Sequence, residues 1–324
     1  MKAPAWLLGL AAPLALAPAH GEPLAYITDQ GSDSVAIIDI ANGKTLESVK
    51  VGHKPAGVAV APGAKRIYVS NPEGSSLSVI ERRDDGRHAA IAEIPVGKGP
   101  LGVATDHAGA LVFVADWYGD QVHVIDAATL KETRTITVGQ SPSGLTVNPD
   151  NTRLFVANRE SDTISVIDLK TFATIATIAV GKAPFGVTYD PSGADGGGDR
   201  LLVANVQSGD VSVVDPAALR ETRRLKVRAF PYAVAATRDG ARIFVTNQHD
   251  DSVSVFDGKT YAPLAVLAVG DYPEGVLITP DQSHALVACW MDDVLTSIDV
   301  EKLTIDNKFP AGASPRAFGQ FMAP

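Results

Sequence analysis

Few of the side chains that could act in catalysis or bind a metal have the sequence spacing that such sites require. The seven histidines never occur as His-x-His or His-x-x-x-His, spacings that would bring two imidazoles to one metal ion. No Gly-x-Ser-x-Gly turn presents a nucleophilic serine, and no glycine-rich loop precedes a helix to hold phosphate. Cys289 is the only cysteine, which excludes an internal disulfide, a CxxCH haem attachment and a CxxC zinc site. We therefore predict no catalytic residue, no metal site and no cofactor.

Carboxylates and hydroxyls are concentrated in four short segments. Their oxygens could ligate a hard cation such as Ca²⁺, but they lack the spacing of a calcium loop. Aspartate and serine in tight turns commonly bond their own backbone, and we favour that interpretation. The segments are residues 30–33, 158–162, 248–251 and 291–293.

These segments belong to a repeat of about 42 residues. Seven strand-like runs align, with Trp290 in the place where most other runs have Asn or Asp, and Cys289 level with Thr28 and Thr246. The runs are Tyr26–Asp29, Tyr68–Asn71, Phe113–Asp116, Phe155–Asn158, Leu202–Asn205, Phe244–Asn247 and Val287–Trp290. Each is followed by a second apolar run that mostly ends in Asp, and then by a Val-Gly-x-x-Pro-x-Gly turn or a variant of it, as in Val51–Val58.

Four strands per repeat predict an all-β fold, a seven-bladed β-propeller with four antiparallel strands in each blade. The strand after Pro-x-Gly is strand A, nearest the axis, and strands B, C and D follow outwards. The chain begins with a strand B at Tyr26 and ends with a strand A, Ala317–Met322. We expect this C-terminal strand A to pair with the N-terminal strand B and to close the ring, which removes the exposed edge.

The repeat allows one position to be compared around the ring. The x of Pro-x-Gly stands at the start of every inner strand, on the face that carries the D–A and B–C loops, here called the top. It differs in size and charge between blades, which suggests an asymmetric binding mouth, although drift at an exposed position would look the same. The residues are Ala56, Leu101, Ser143, Phe185, Tyr232, Glu274 and Arg316.

Several of these top-face residues are candidates for binding a ligand or partner. Glu274 and Arg316 belong to neighbouring blades, and could form an ion pair or jointly hold a polar ligand. Aromatic residues with a few polar groups suit small-molecule or peptide capture, although some of them could simply pack between blades. The predicted binding residues are Phe185, Tyr232, Glu274, Arg316, Trp117, Tyr118, Tyr272, His249 and His53.

The motifs resemble those of a known family. Phe244–Asn247, Tyr68–Asn71, the Ser-Val-Ile-Asp runs and the Val-Gly-x-x-Pro-x-Gly turns are similar to the YVTN β-propeller repeat family over residues 26–322. The resemblance implies the fold, and it permits a role beside pyrroloquinoline quinone-dependent catabolism. Related seven-bladed folds include lactonases and a lyase. The residues of its motifs have structural roles in the fold, so the resemblance says little about function.

The N-terminus and the composition bear on location. Lys2, an apolar run over residues 6–17 and the small residues 17–19 predict a signal peptide at 1–19, followed by one propeller domain at 20–324. The run is too short to cross a bilayer, so we expect no membrane span in the mature chain. The net charge of −9 argues against nucleic acid as a partner. We expect a monomer in the periplasm, or secreted or at the cell surface.

Three classes of function remain. The favoured one is a non-catalytic binding or scaffold protein that holds a small molecule or a protein, such as a periplasmic dehydrogenase, on its top face. The alternative is a propeller enzyme, a lactone hydrolase or lyase, with Glu274, His249 and His53 at the channel mouth. A cell-surface adhesion or structural protein is the third.

Overall fold

A computed structural model describes residues 23–193 and 198–322, and the predicted signal peptide lies outside them. Within these two ranges, twenty-eight strands form seven sheets around one axis. The strands are β1 Leu24–Asp29, β2 Ser34–Asp39, β3 Lys44–Lys50, β4 Gly57–Val60, β5 Arg66–Asn71, β6 Ser76–Arg82, β7 His88–Pro95, β8 Pro100–Thr105, β9 Leu111–Asp116, β10 Gln121–Asp126, β11 Lys131–Thr137, β12 Pro142–Val147, β13 Arg153–Asn158, β14 Thr163–Asp168, β15 Ala173–Ala179, β16 Pro184–Asp190, β17 Arg200–Asn205, β18 Asp210–Asp215, β19 Arg220–Lys226, β20 Pro231–Ala236, β21 Arg242–Asn247, β22 Ser252–Asp257, β23 Pro263–Ala268, β24 Pro273–Ile278, β25 His284–Cys289, β26 Val294–Asp299, β27 Thr304–Pro310 and β28 Phe318–Gln320.

The seven-bladed propeller is confirmed. Blade 1 holds β1–β3 and the C-terminal segment, and blades 2 to 7 begin at β4, β8, β12, β16, β20 and β24. Three 3-10 turns, Pro72–Gly74, Arg159–Ser161 and Gln248–Asp250, lie in B–C loops on the top face. In the described residues, no helix has the length and apolar character that a membrane crossing requires.

The hydrophobic core lies between neighbouring blades. One cluster joins Tyr68 and Leu77 of blade 2 to Val103, Val112 and Ile125 of blade 3. Strands B and C are buried on both faces, because each blade is covered by the next, whereas an outer strand such as β11 has a single buried side chain, Ile136. Charged residues on outer strands such as β11 and β19 protect these edges from pairing with other chains.

The C-terminal segment closes the ring as expected. Its residues bridge to the first strand at Asp29↔Pro315 and Ala25↔Met322, in the antiparallel sense. The segment also makes a contact that the repeat did not predict, since β28 pairs in parallel with β4 of the next blade, from Phe318↔Gly57 to Gln320↔Ala59. Blades 1 and 2 are therefore joined at the axis by main-chain hydrogen bonds.

The alignment of the last repeat was wrong by one residue. Cys289 pairs with Pro273 and Val294, as Asn247 pairs with Pro231 and Ser252, so Cys289 and not Trp290 takes the place of Asn. A slip of one position exchanges the two faces of a strand. The prediction that Cys289 is buried still holds, and burial raises the pKa of its thiol to about 12.

Inner strands approach each other where the Pro-x-Gly glycines lie. A Cβ atom on any of these glycines would come within 3.0 Å of a main-chain carbonyl of the next blade. Hydroxyls reinforce the contact, since Thr28, Ser70 and Thr246 donate to the carbonyls of Ala56, Leu101 and Glu274 in the following blade, at 3.0, 2.6 and 2.9 Å. The glycines are Gly57, Gly102, Gly144, Gly186 and Gly275.

Substitution of Gly102 by Ala is expected to destabilise the ring. The new methyl group would collide with the Ser143 carbonyl, and backbone cannot move away as a flexible side chain can. Overpacking of this kind costs about 1–3 kcal/mol in the free energy of unfolding, measured by urea denaturation. Gly198→Ala is the control, because a Cβ there meets no atom within 4 Å. Equal stability of the two variants would contradict the close approach.

Candidate functional site

The top face is built from D–A turns of one shape. In six of them the residue before proline has a left-handed backbone, with φ between 51° and 59°. Blade by blade this residue is mostly small or flexible, but at two turns it is aromatic. The residues are Lys54, Ser141, Ala183, Phe230, Tyr272 and Ser314.

An aspartate of the B–C loop holds most of these turns. Its carboxylate accepts a hydrogen bond from the backbone N–H of the residue 21 positions later, across to the next turn. The acidic loops therefore serve turn structure, as predicted, but with a correction, because these aspartates bond the following turn rather than only their own backbone. The pairs are Asp33–Lys54, Asp120–Ser141, Asp162–Ala183, Asp251–Tyr272 and Asp293–Ser314, at 2.8–3.0 Å.

Side chains close the top end of the axis. The ion pair expected between Glu274 and Arg316 is present, with Arg316 donating from Nε and Nη2 to the two carboxylate oxygens at 2.5 and 3.0 Å. Arg316 Nη2 also donates to the Tyr232 hydroxyl at 2.6 Å, and Gln248 donates to Glu274 at 2.9 Å. Glu274 is 1% exposed, so its carboxylate lies inside the protein and not on an open binding mouth.

An aromatic layer lies beside this ion pair. The Phe185 ring is 4.1 Å from Tyr232 and 4.9 Å from Phe318, measured between centroids, and Trp117 is 6.2 Å away. Phe318 comes from the C-terminal segment and reaches across the axis. We call Phe185, Tyr232, Glu274, Arg316 and Phe318 the axial plug.

Burial sets the electrostatics of the plug. Desolvation raises the pKa of the Glu274 carboxyl, and the Arg316 guanidinium and two hydrogen bonds act in the opposite direction. Burial also raises the pKa of Tyr232, so its hydroxyl stays protonated. The plug is thus a charge-balanced unit in which Glu274 is buried, whereas the Arg316 side chain remains 21% exposed.

A second cluster of aromatic rings lies further from the axis, on blades 6 and 7. Phe230 stacks on His249 at 3.7 Å, His249 is 5.4 Å from Tyr272, and Tyr272 is 6.0 Å from Trp290. Phe230 is 37% exposed, and His249 is exposed as well. We call Phe230, His249, Tyr272 and Trp290 the aromatic ladder.

The loops that carry the ladder are acidic. Their charges are five exposed aspartates against the one arginine Arg228. Met291, 56% exposed, adds apolar surface beside Trp290. The aspartates are Asp250, Asp251, Asp271, Asp292 and Asp293.

The remaining predicted residues do not join either cluster. His53 lies between the carboxylates of Asp33 and Glu73, at 3.1 and 3.3 Å. Tyr118 is 72% exposed and covers Gly99. The nine predicted residues therefore divide into the plug with Trp117, the ladder with His249 and Tyr272, and these two isolated positions.

Sequence reasoning missed Phe318 of the plug and Gln248, which donates to Glu274. Phe318 stands where the other inner strands have Val or Leu, as in Val276 and Leu145, so comparison of that position would have found it. Gln248 follows a strand B and carries no repeat signal of its own. Within the described part of the chain, no three His, Cys, Asp or Glu side chains converge as metal ligands.

Comparisons with known proteins agree with the fold. Residues 103–195, under a third of the chain, match the family model described as YNCE-like beta-propeller. Among curated protein sequences, none matches this chain. The match and the observed architecture make the protein a seven-bladed β-propeller that is YNCE-like in this stretch.

Solved structures with the same fold are distant in sequence. Hydrazine synthase of Kuenenia stuttgartiensis is 20% identical, with a TM-score of 0.76 over 86% of this chain and 92% of that one. A functionally unknown protein from Desulfotomaculum acetoxidans is 13% identical, with a TM-score of 0.78 over 90% and 98%. A Bacteroides fragilis protein described as a candidate 6-phosphogluconolactonase is 14% identical, with a TM-score of 0.77 over 92% and 98%. Identities this low establish the fold alone.

Replacement of Arg316 by Met should destabilise the protein in a pH-dependent way. It leaves the buried Glu274 carboxylate unpaired, which costs about 3–5 kcal/mol. The pKa of Glu274 is already raised by burial and would rise further. The folded state then binds a proton where the unfolded state does not, so the variant's free energy of unfolding falls as pH rises above the usual glutamate pKa of 4.5.

Urea denaturation at about pH 5 and about pH 8 measures this effect, with the wild type as reference at each pH. The double variant Glu274→Gln, Arg316→Met is the control and should lose the added pH dependence. If Arg316→Met lost the same stability at both pH values, Glu274 would not be the group that responds.

Proposed function

We propose that this chain is an exported, non-catalytic binding propeller of the YVTN type that docks a protein partner on the aromatic ladder of its top face. The observation that carries the proposal is the partly exposed stack Phe230–His249–Tyr272–Trp290 beside a closed axis. The predicted periplasmic location and monomeric state belong to the same proposal.

The geometry favours a macromolecule over a small molecule on this face. Small-molecule sites are concave and bury most of their ligand. The plug fills the top of the axis with side chains of which Phe185, Tyr232 and Glu274 are buried. The ladder is a surface, and surfaces that combine aromatic residues with a polar rim suit protein contacts.

The residue type at one turn position distinguishes the ladder from the other blades. Ser141 and Ser314 occupy this position, with the same left-handed backbone, without adding any ring to the surface. Phe230 and Tyr272 occupy it with aromatic side chains, and both rings join the ladder.

Charge indicates the kind of partner. Five aspartates surround the ladder, so a complementary surface would carry lysine or arginine around an apolar or aromatic centre. The resemblance to the YVTN family adds a finer proposal, that this partner is a periplasmic dehydrogenase of quinone-dependent catabolism. That part is an analogy with the family.

The enzyme alternative gains no support from this geometry. Of its three candidate groups, Glu274 is paired inside the plug, His249 is stacked in the ladder, and His53 lies between two carboxylates. A lactone hydrolase or lyase would need such groups to face one substrate.

Substitution of both strained aromatics by glycine tests the proposal. Phe230→Gly with Tyr272→Gly removes the exposed rings and relieves the left-handed backbone, so the thermal midpoint should shift by no more than about 4 °C. Partner binding should be lost, because aromatic anchors carry most of the energy of an interface. The matched control, Ser141→Gly with Ser314→Gly, changes the same turn position without touching the ladder.

The measurement is capture from an extract of the source organism on immobilised protein, with quantitative mass spectrometry. We expect the wild type and the serine control to retain one common partner, which high salt releases, and the aromatic variant to lose it. Retention of the same proteins by the aromatic variant would overturn the proposal. Absence of a quinone-dependent dehydrogenase among them would overturn only its finer part.

A further inference from the structure

A cavity lies at the other end of the axis from the predicted site. It begins beneath Phe318, runs along the inner strands and ends among the A–B loops on the bottom face, with a volume of about 430 Å³. This size is typical of small-molecule sites. We call it the axial cavity.

The two walls of the axial cavity differ in polarity. Thr105, Thr146 and Thr188 line the cavity from the successive inner strands of blades 3, 4 and 5. Thr188 donates to the Val234 carbonyl, whereas the hydroxyls of Thr105 and Thr146 have no hydrogen-bond partner in residues 23–193 and 198–322. Blade 7 presents Leu277 and Ile278, both half-buried. A ligand that fits both walls has one hydroxyl-bearing side and one carbon side.

Six blades contribute the same repeat position to the rim of the cavity. This position lies just after the inner strand, five residues beyond the Gly of Pro-x-Gly or the Ala that replaces it. Four blades have proline there, which is rigid and uncharged, and two have a basic side chain. The residues are Pro62, His107, Pro149, Pro191, Arg238 and Pro280. As on the top face, the position where the copies differ marks a candidate contact.

Arg238 is available to a ligand. It is exposed, its backbone N–H donates to Gln282 at 2.6 Å, and its guanidinium makes only a long contact of 3.5 Å to the Pro280 carbonyl. It takes part in none of the ion pairs found among the described residues. A guanidinium binds carboxylate through two parallel hydrogen bonds.

Asp106 lines the cavity on the blade 3 side. One carboxylate oxygen accepts hydrogen bonds from the backbone N–H groups of Ala110 and Leu111, at 2.7 and 2.9 Å. The other oxygen makes no hydrogen bond within the described part of the chain, and Asp106 lines the cavity. A second carboxylate beside it would be repelled, whereas a ligand hydroxyl could donate to it.

We propose that the axial cavity binds a small hydroxycarboxylate, with its carboxylate on Arg238 and its hydroxyl groups toward Thr105, Thr146 and Asp106. The carbon skeleton faces Leu277 and Ile278. This site is distinct from the aromatic ladder and lies on the opposite face, so a ligand and a protein partner can be held at the same time.

Three six-carbon probes separate the contribution of the ligand's carboxylate to binding from that of its hydroxyl groups. Gluconate has a carboxylate and hydroxyls, sorbitol has hydroxyls alone, and hexanoate has a carboxylate alone. In isothermal titration calorimetry we expect gluconate, or the related probes tartrate and citrate, to bind more tightly than sorbitol and hexanoate. If none of the three hydroxycarboxylates binds at about 10 mM, or if sorbitol binds equally well, the proposal is wrong.

Substitutions of residues that line the cavity test whether the hydroxycarboxylate binds there. Arg238→Gln should weaken hydroxycarboxylate binding about ten- to a hundredfold, because a hydrogen bond to a charged group is lost. Thr146→Val keeps the shape and should weaken it less. Arg83→Gln, an exposed arginine of an outer loop, is the control and should change nothing. Unchanged binding in Arg238→Gln would exclude this site, and partner capture on the top face should be unaffected by all three variants.

Discussion

At five of the seven blade junctions, the main chains of neighbouring inner strands come closer than a side chain would permit. Five glycines face a carbonyl of the next blade at a distance that excludes a Cβ. This contact fixes how tightly the blades converge, so it determines the width of the axis and the packing between sheets. The hydroxyls of Ser70 and Ser143 donate to two of these carbonyls, those of Leu101 and Phe185, and so satisfy polar groups that are buried between blades.

Most of the scaffold could be predicted because its physical demands recur in every blade. The glycine of Pro-x-Gly, the alternating strands and the ring closure follow from sequence periodicity. The final repeat was misaligned because Cys289 replaces the Asn that marks the end of strand B, and no other residue type in that run fixes the register. The parallel pairing of β28 with β4 has no counterpart in the repeat, so no comparison of copies could reveal it.

The candidate site was harder to predict, since a variable position can point to solvent or into the axis. The x residues were expected to line an open mouth, but Phe185, Tyr232 and Glu274 are buried. Their large side chains meet across the narrow axis and exclude water there. The ion pair with Arg316 was foreseeable from adjacent blades. Sequence reasoning overlooked Phe318, which packs against the Phe185 and Tyr232 rings beside this ion pair.

One short segment completes both the ring and the plug. The backbone N–H of Ala317 donates to Thr28, 289 positions earlier in the chain, and the flanking Arg316 and Phe318 fill the axis. During synthesis the first blade therefore stays incomplete until the C-terminal segment has left the ribosome. Contacts so distant in sequence form slowly. An incomplete chain would expose an unpaired strand, and such edges invite aggregation or chaperone binding.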